Sequence, residues 1–90
     1  MSISVIIPTP LRSYAGGNRQ LTVSAGTVGA ALDEVTTRYP HLRTHLYAGD
    51  DLRAFVNVFL NDDNIRDVGG PAVAVGAGDT ITIIPSIAGG

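Results

Sequence analysis

The apolar residues alternate with polar ones toward both ends of the chain and recur at helical spacing in between. From Ser2 to Ile7, the residues Ile3, Val5 and Ile7 fall on one side of an extended backbone, and their β-branched side chains favour a strand. Pro8 and Pro10 then hold the chain extended and stop ladder pairing. Ala15-Gly16-Gly17-Asn18 reads as a turn, since glycine and asparagine tolerate positive φ. Arg19 to Val23 is a second strand with Leu21 and Val23 inward, so the two strands form a hairpin with a long loop.

Val28, Leu32, Val35 and Tyr39 share one stripe of a helix, with Asp33 and Glu34 on its wet side. Thr27 is placed to cap its first turn, although position 30 is alanine and completes no capping box. Pro40 ends this helix, and His41 to Leu52 is expected to be a loop or a short helical turn. Phe55 to Leu60 reads as a strand, with Val56, Val58 and Leu60 on one face and Phe55, Asn57 and Phe59 on the other. Asn61 to Asn64 is a polar turn leading to Ile65 in a short edge segment, and Gly69-Gly70-Pro71 is a further turn. A short apolar run, Ala72 to Val75, and the Gly76-Ala77-Gly78-Asp79 turn precede the last strand, Thr80 to Ile84, which Pro85 closes. One main helix against a mixed sheet of four to five strands is an α+β architecture.

Bulk properties narrow the function classes. Ninety residues suit one domain with one core, which leaves little room for a deep catalytic cleft. A net charge of −2 offers no overall basic field for nucleic acid or anionic lipid. No apolar run reaches the roughly 18 residues of a membrane span, and no basic-then-apolar leader opens the chain, so a cytoplasmic location is the expectation. Cysteine is absent, which excludes disulfides, thiolate catalysis and Cys-ligated metals; lysine is absent too, which excludes a Schiff base. His41 and His45 are four apart but have no evident third ligand beyond Asp50 and Asp51, so they read as loop histidines rather than a metal pair. Asp62-Asp63-Asn64 lacks the central glycine and closing glutamate of a calcium loop. The glycine-rich turns lack the Gly-Lys-Ser/Thr ending of a phosphate loop. Arg12, Arg53 and Arg66 are expected to pair with acidic neighbours or partners at the surface.

Several motifs together resemble the ThiS/MoaD superfamily of sulfur carriers, and within it the CysO type. They are Val5-Ile6-Ile7-Pro8-Thr9-Pro10-Leu11-Arg12, Arg53 through Asp62, Ile65-Arg66, Gly69-Gly70, Gly78-Asp79, Ile81 through Pro85, and Ala88-Gly89-Gly90. The resemblance implies a β-grasp (ubiquitin-like) domain over residues 1–85 and a flexible tail over 86–90. It implies that first and last strands lie side by side at the sheet centre, and that Ile6, Phe59 and Ile84 lie on the face away from the helix as a partner surface. It also implies a mechanism. An E1-like enzyme consumes ATP to adenylate the Gly90 carboxylate, and sulfide or a protein persulfide then leaves a thiocarboxylate. A sulfur-accepting synthase receives the sulfur, and a metalloprotease-type hydrolase is a further partner. No cofactor is expected on the carrier itself. Ile87, Ala88 and Gly89 would enter the activating channel with Gly90. Gly89 and Gly90 have no Cβ to obstruct approach to the acyl carbon. Ile87 is bulkier than the residue many relatives carry there, yet Ile87→Ala should be tolerated by a general activator. The competing readings are a ubiquitin-like modifier conjugated through Gly90 and a β-grasp binding module with an inert tail. A stand-alone enzyme fits least, because no nucleophile–base pair is apparent.

Overall fold

The first and last strands, each burying two β-branched side chains, lie side by side inside the sheet, where both of their edges are paired. In a computed structural model, which describes residues 2–85, they are β1 (Ile3–Ile6) and β7 (Thr80–Pro85), running parallel with Val5 beside Ile81. Strand β2 (Gln20–Val23) pairs antiparallel with β1, and β5 (Val56–Leu60) antiparallel with β7. The two-residue β6 (Asp63–Asn64) closes the far edge, giving the order β2-β1-β7-β5-β6. Alternation then decides what is buried. Ile3, Val5, Leu21, Val23, Val56, Val58, Ile81 and Ile83 point to one face and join a single apolar cluster.

Helix α1 (Val28–Arg38) contributes Val28, Ala31, Leu32 and Val35 to that cluster. Its start is set as the sequence implies, since the Thr27 hydroxyl accepts from the Ala30 N–H at 3.1 Å. Tyr39 is half-buried beyond the last turn, and Thr36 is buried in its place on the inner side, its hydroxyl donating to the Leu32 carbonyl at 2.9 Å. Gly29 sits where α1 meets the 3₁₀ turn Gly70–Ala72; a Cβ there would lie 3.2 Å from the Pro71 carbonyl oxygen.

The departures from the sequence reading involve proline and short elements. Pro8 is extended, as expected, but Pro10 is not: Thr9–Ala15 is a 3₁₀ helix that buries Leu11 and Ala15. Pro10 lies in its first turn, where a missing N–H leaves no acceptor wanting. Pro40 follows α1 and also opens a second helix, α2 (Pro40–Leu46), for the same reason. Leu42 and Leu46 on α2 are fully buried, so of the two readings of His41 to Leu52 the short helical turn holds for its first half. It continues as a small antiparallel ribbon, β3 (Tyr47–Ala48) with β4 (Asp51–Leu52). The Asp63–Asn64 pair, read as turn, is the edge strand. Ile65, read as edge, starts the one-turn α3 (Ile65–Val68) and is buried. Leu60 shares the inner face but is only half-buried. Pro85 does not stop the ladder; it stands opposite Val56 as the last residue of β7.

Candidate functional site

The register places Ile6, Phe59 and Ile84 on the sheet face away from the helices. Ile6 and Phe59 flank Thr82 from either side, in a row that runs Gln20, Ile6, Thr82, Phe59, Asn64. Ile84 is one step nearer the chain end on the same face, beside Asn57. It is 47% exposed, whereas Ile6 and Phe59 are half-buried. Thr82 therefore interrupts the apolar surface, and Ile84 is its most prominent member. Ile87, Ala88, Gly89 and Gly90 lie outside the described residues.

Pro85 is accommodated in the β5–β7 ladder for a local reason. The Asn61 N–H donates to the Thr80 carbonyl at 2.7 Å. Alternation along the antiparallel ladder then puts Asn57 opposite Ile84 at a hydrogen-bonding position and Val56 opposite Pro85 at a non-bonding one. A proline fits there without removing a β5–β7 bond. The free edge of β5 at this point is taken over by a side chain. Arg66 donates to the carbonyls of Val56 at 2.8 Å, Ala54 at 3.2 Å and Arg53 at 3.3 Å, and to the Asn57 side-chain oxygen at 2.8 Å. These bonds fix the Arg53–Val56 turn, itself closed by the Val56 N–H to the Arg53 carbonyl at 3.0 Å. Phe55, read as a strand residue, stands in that turn and is 48% exposed.

Of the two expectations for Arg12, Arg53 and Arg66, pairing with acidic neighbours is not met among the described residues. Arg53 donates to the Thr44 carbonyl at 2.9 and 3.1 Å, and Arg12 to the Ile7 carbonyl at 3.0 Å. The ion pairs are on α1 and α2 instead: Arg38 with Glu34 at 2.6 Å and Arg43 with Asp33 at 3.4 Å. Carbonyl acceptors are invisible in a sequence, which is why this role was missed.

The opposite end of β7 is organised by Asp79. Its carboxylate accepts from the Gly76 N–H at 2.8 Å and from the Asn61 amide at 3.3 Å. The Gly76 bond first, and the Asn61 bond second, hold its pKa below the ordinary carboxylate value. Gly78 at φ +86° makes the turn that brings Asp79 back to Gly76. The Gly78-Asp79 motif is thus a self-closing turn that launches the central strand.

A cleft of about 330 Å³ opens on the helical side, lined in part by Asp33, Arg43, Tyr47, Leu52 and Pro71. Asp50 and Asp51 also line it, and three of its polar groups engage one another. Arg43 pairs with Asp33 and lies 4.3 Å over the Tyr47 ring, while burial, and next the Asp33 charge, raise the pKa of the Tyr47 phenol. His45 stacks on Tyr14 with ring centroids 4.0 Å apart. Neither arrangement supplies a nucleophile and base in contact.

The geometry is that of a β-grasp body with parallel β1 and β7 paired inside its sheet, and known proteins share it. The sulfur carrier protein CysO of Mycobacterium tuberculosis is 37% identical over 93 residues, spanning the full length of both chains. CysO of Amycolatopsis orientalis, solved in complex with BexX, superposes with a TM-score of 0.89 at 38% identity, covering 98% of this chain and 99% of the other. Small archaeal modifier protein 1 of Methanosarcina acetivorans superposes with a TM-score of 0.88 at 28% identity, covering 99% and 96%. With the ThiS family pattern matching residues 5–90, the chain belongs to the ThiS family.

Proposed function

We propose that the protein is a sulfur carrier whose working group is the C-terminal carboxylate of Gly90. The observation that carries this reading is the end-to-end similarity to CysO carriers, combined with a Gly89-Gly90 motif that follows the central strand β7 in the sequence. The carboxylate is ionised at neutral pH and is a poor electrophile. An E1-like enzyme transfers AMP to it from ATP, releasing pyrophosphate. Sulfide, or a persulfide sulfur later freed by reduction, attacks the acyl carbon. The carbon–oxygen bond to AMP breaks, and a thiocarboxylate remains. Its sulfur is then delivered to an acceptor held by a synthase, with cysteine formation favoured by the CysO likeness. The folded domain supplies docking area through Ile84 and its neighbours Ile6 and Phe59, and the tail supplies reach. ATP and sulfide as co-reactants suit a cytoplasmic setting.

The test is intact mass before and after incubation with the host's E1-like enzyme, ATP and sulfide, with fragmentation to locate the change. Oxygen-for-sulfur exchange confined to Gly90, and absent without ATP, is the expected result. An unchanged Gly90 in the presence of an active enzyme would overturn it. Likeness to the archaeal modifier protein favours a second reading, conjugation of Gly90 to lysines of other proteins. That reading predicts isopeptide-linked species in which the Gly90 carboxyl is consumed.

A further inference from the structure

The arginines are unevenly distributed. All six basic residues are arginines in a chain of net charge −2. Arg38 and Arg43 are neutralised on the helical side by Glu34 and Asp33. The other four gather where the parallel strands β1 and β7 end. Arg12 binds the Ile7 carbonyl just past β1. Arg19, exposed, offers its carbonyl to the Ile7 N–H at 2.9 Å, and its side chain makes no hydrogen bond among the described residues. Arg53 and Arg66 bracket the turn that leads to Val56, opposite Pro85. Their hydrogen-bond partners are neutral carbonyls and an amide, and none of them forms an ion pair among the described residues, although Asp67 adjoins Arg66 and Asp51 lies two residues before Arg53. At the other end of the same strands lie Asp62, Asp63 and Asp79.

We propose that this arginine-bearing end is an electrostatic docking rim, and that the partner protein taking the tail presents aspartates and glutamates around the mouth of its channel. The proposal rests on the reading that the tail enters a partner. Five residues of extended chain span at most about 17 Å, so the root of the tail must come close to the channel mouth when Gly90 is at the reacting centre. Charges brought that near interact within about two Debye lengths at physiological salt. A rim of one sign on the carrier then selects for the opposite sign on the partner and speeds encounter. The acidic turns at the far end disfavour the reversed approach. A polyanion such as RNA is the lesser fit, because the acidic residues elsewhere leave the molecule negative overall.

The experiment measures KM and kcat for thiocarboxylate formation with the host's activating enzyme from about 20 to 500 mM NaCl, together with direct carrier–enzyme affinity by calorimetry. Wild-type KM should rise about tenfold or more over that range. The Arg19→Gln/Arg66→Gln double variant should raise KM about five- to tenfold at low salt, flatten the salt response and leave kcat unchanged. Arg66→Lys keeps the charge while losing the planar fork, and should stay near wild type in KM. Arg19→Gln alone, which disturbs no side-chain bond, should account for part of the effect. Arg38→Gln/Arg43→Gln changes net charge equally at the other side and should leave KM within about twofold. A salt-independent wild-type KM, equal effects of the two double variants, or salt-sensitive binding to a single-stranded RNA in place of the enzyme would each overturn the proposal. Turnover by the wild type reports separately on the carrier reading. If neither turnover nor binding occurs, the reading fails and the rim falls with it.

Discussion

The two ends of the central strand are built on opposite principles. At its start, the Asp79 carboxylate accepts from the Gly76 N–H and the Asn61 amide, which closes a turn and leaves a negative charge there. At its finish, Arg66 and Arg53 spend their donors on backbone carbonyls, which orders the chain without cancelling the charge. The same kinds of hydrogen bond leave a negative charge at one end and positive charge at the other. What separates them is whether the charged group meets a neutral partner on an anion or on a cation, and which of the two remains near the tail.

The strongest way to break this contrast is to remove the tail. Deleting Gly89 and Gly90 should abolish thiocarboxylate formation while leaving the thermal midpoint unchanged, as read by mass spectrometry and differential scanning calorimetry. A variant that still gains sulfur would show that the finish of β7 is not the working end. Next in size, Ile84→Glu should raise KM for the activating enzyme by about tenfold or more with a near-native midpoint, because it removes exposed apolar area and places an acidic group among the arginines. A comparable loss from Asp79→Ala would erase the distinction between the ends.

Asp79→Ala should instead lower the midpoint at pH 7 and leave KM untouched. The sign of its pH dependence follows from the depressed pKa. The stabilisation is fully present above the unfolded carboxylate value near 4 and is lost as the pH falls through the lower folded value. The midpoints of wild type and variant should therefore converge as the pH drops below about 4. Smallest of all, Glu34→Gln should shift unfolding free energy by less than about 0.5 kcal/mol in urea, since the Glu34–Arg38 pair is solvent-exposed.

The contrast between the ends also marks where sequence reading succeeded. The β-branched alternation at Ile3-Val5-Ile7 and Ile81-Ile83 and the stripe through Val28, Leu32 and Val35 yielded the central strands, the main helix and the buried face, because burial imposes periods of 2 and 3.6 on side chains. Prolines were read as stops, yet Pro10 and Pro40 open helical turns and Pro85 occupies a non-bonding ladder position; the residue has one covalent constraint and several positions that satisfy it. The ribbon of Tyr47–Ala48 and Asp51–Leu52 is too short to carry a period. Ile6, Phe59 and Ile84 could be assigned to a face by counting, whereas Thr82 between them emerged only from the cross-strand register. The arginines at the tail root were misassigned because their acceptors belong to the backbone and carry no letter.

The position of β7 between a parallel and an antiparallel neighbour has a mechanical consequence. A partner that draws the tail into a channel pulls along the axis of β7, so the load falls as shear on the bonds to β1 and β5 together. Peeling an edge strand would break those bonds one at a time at far lower force. The strand order therefore resists unravelling by a pull on the end of β7.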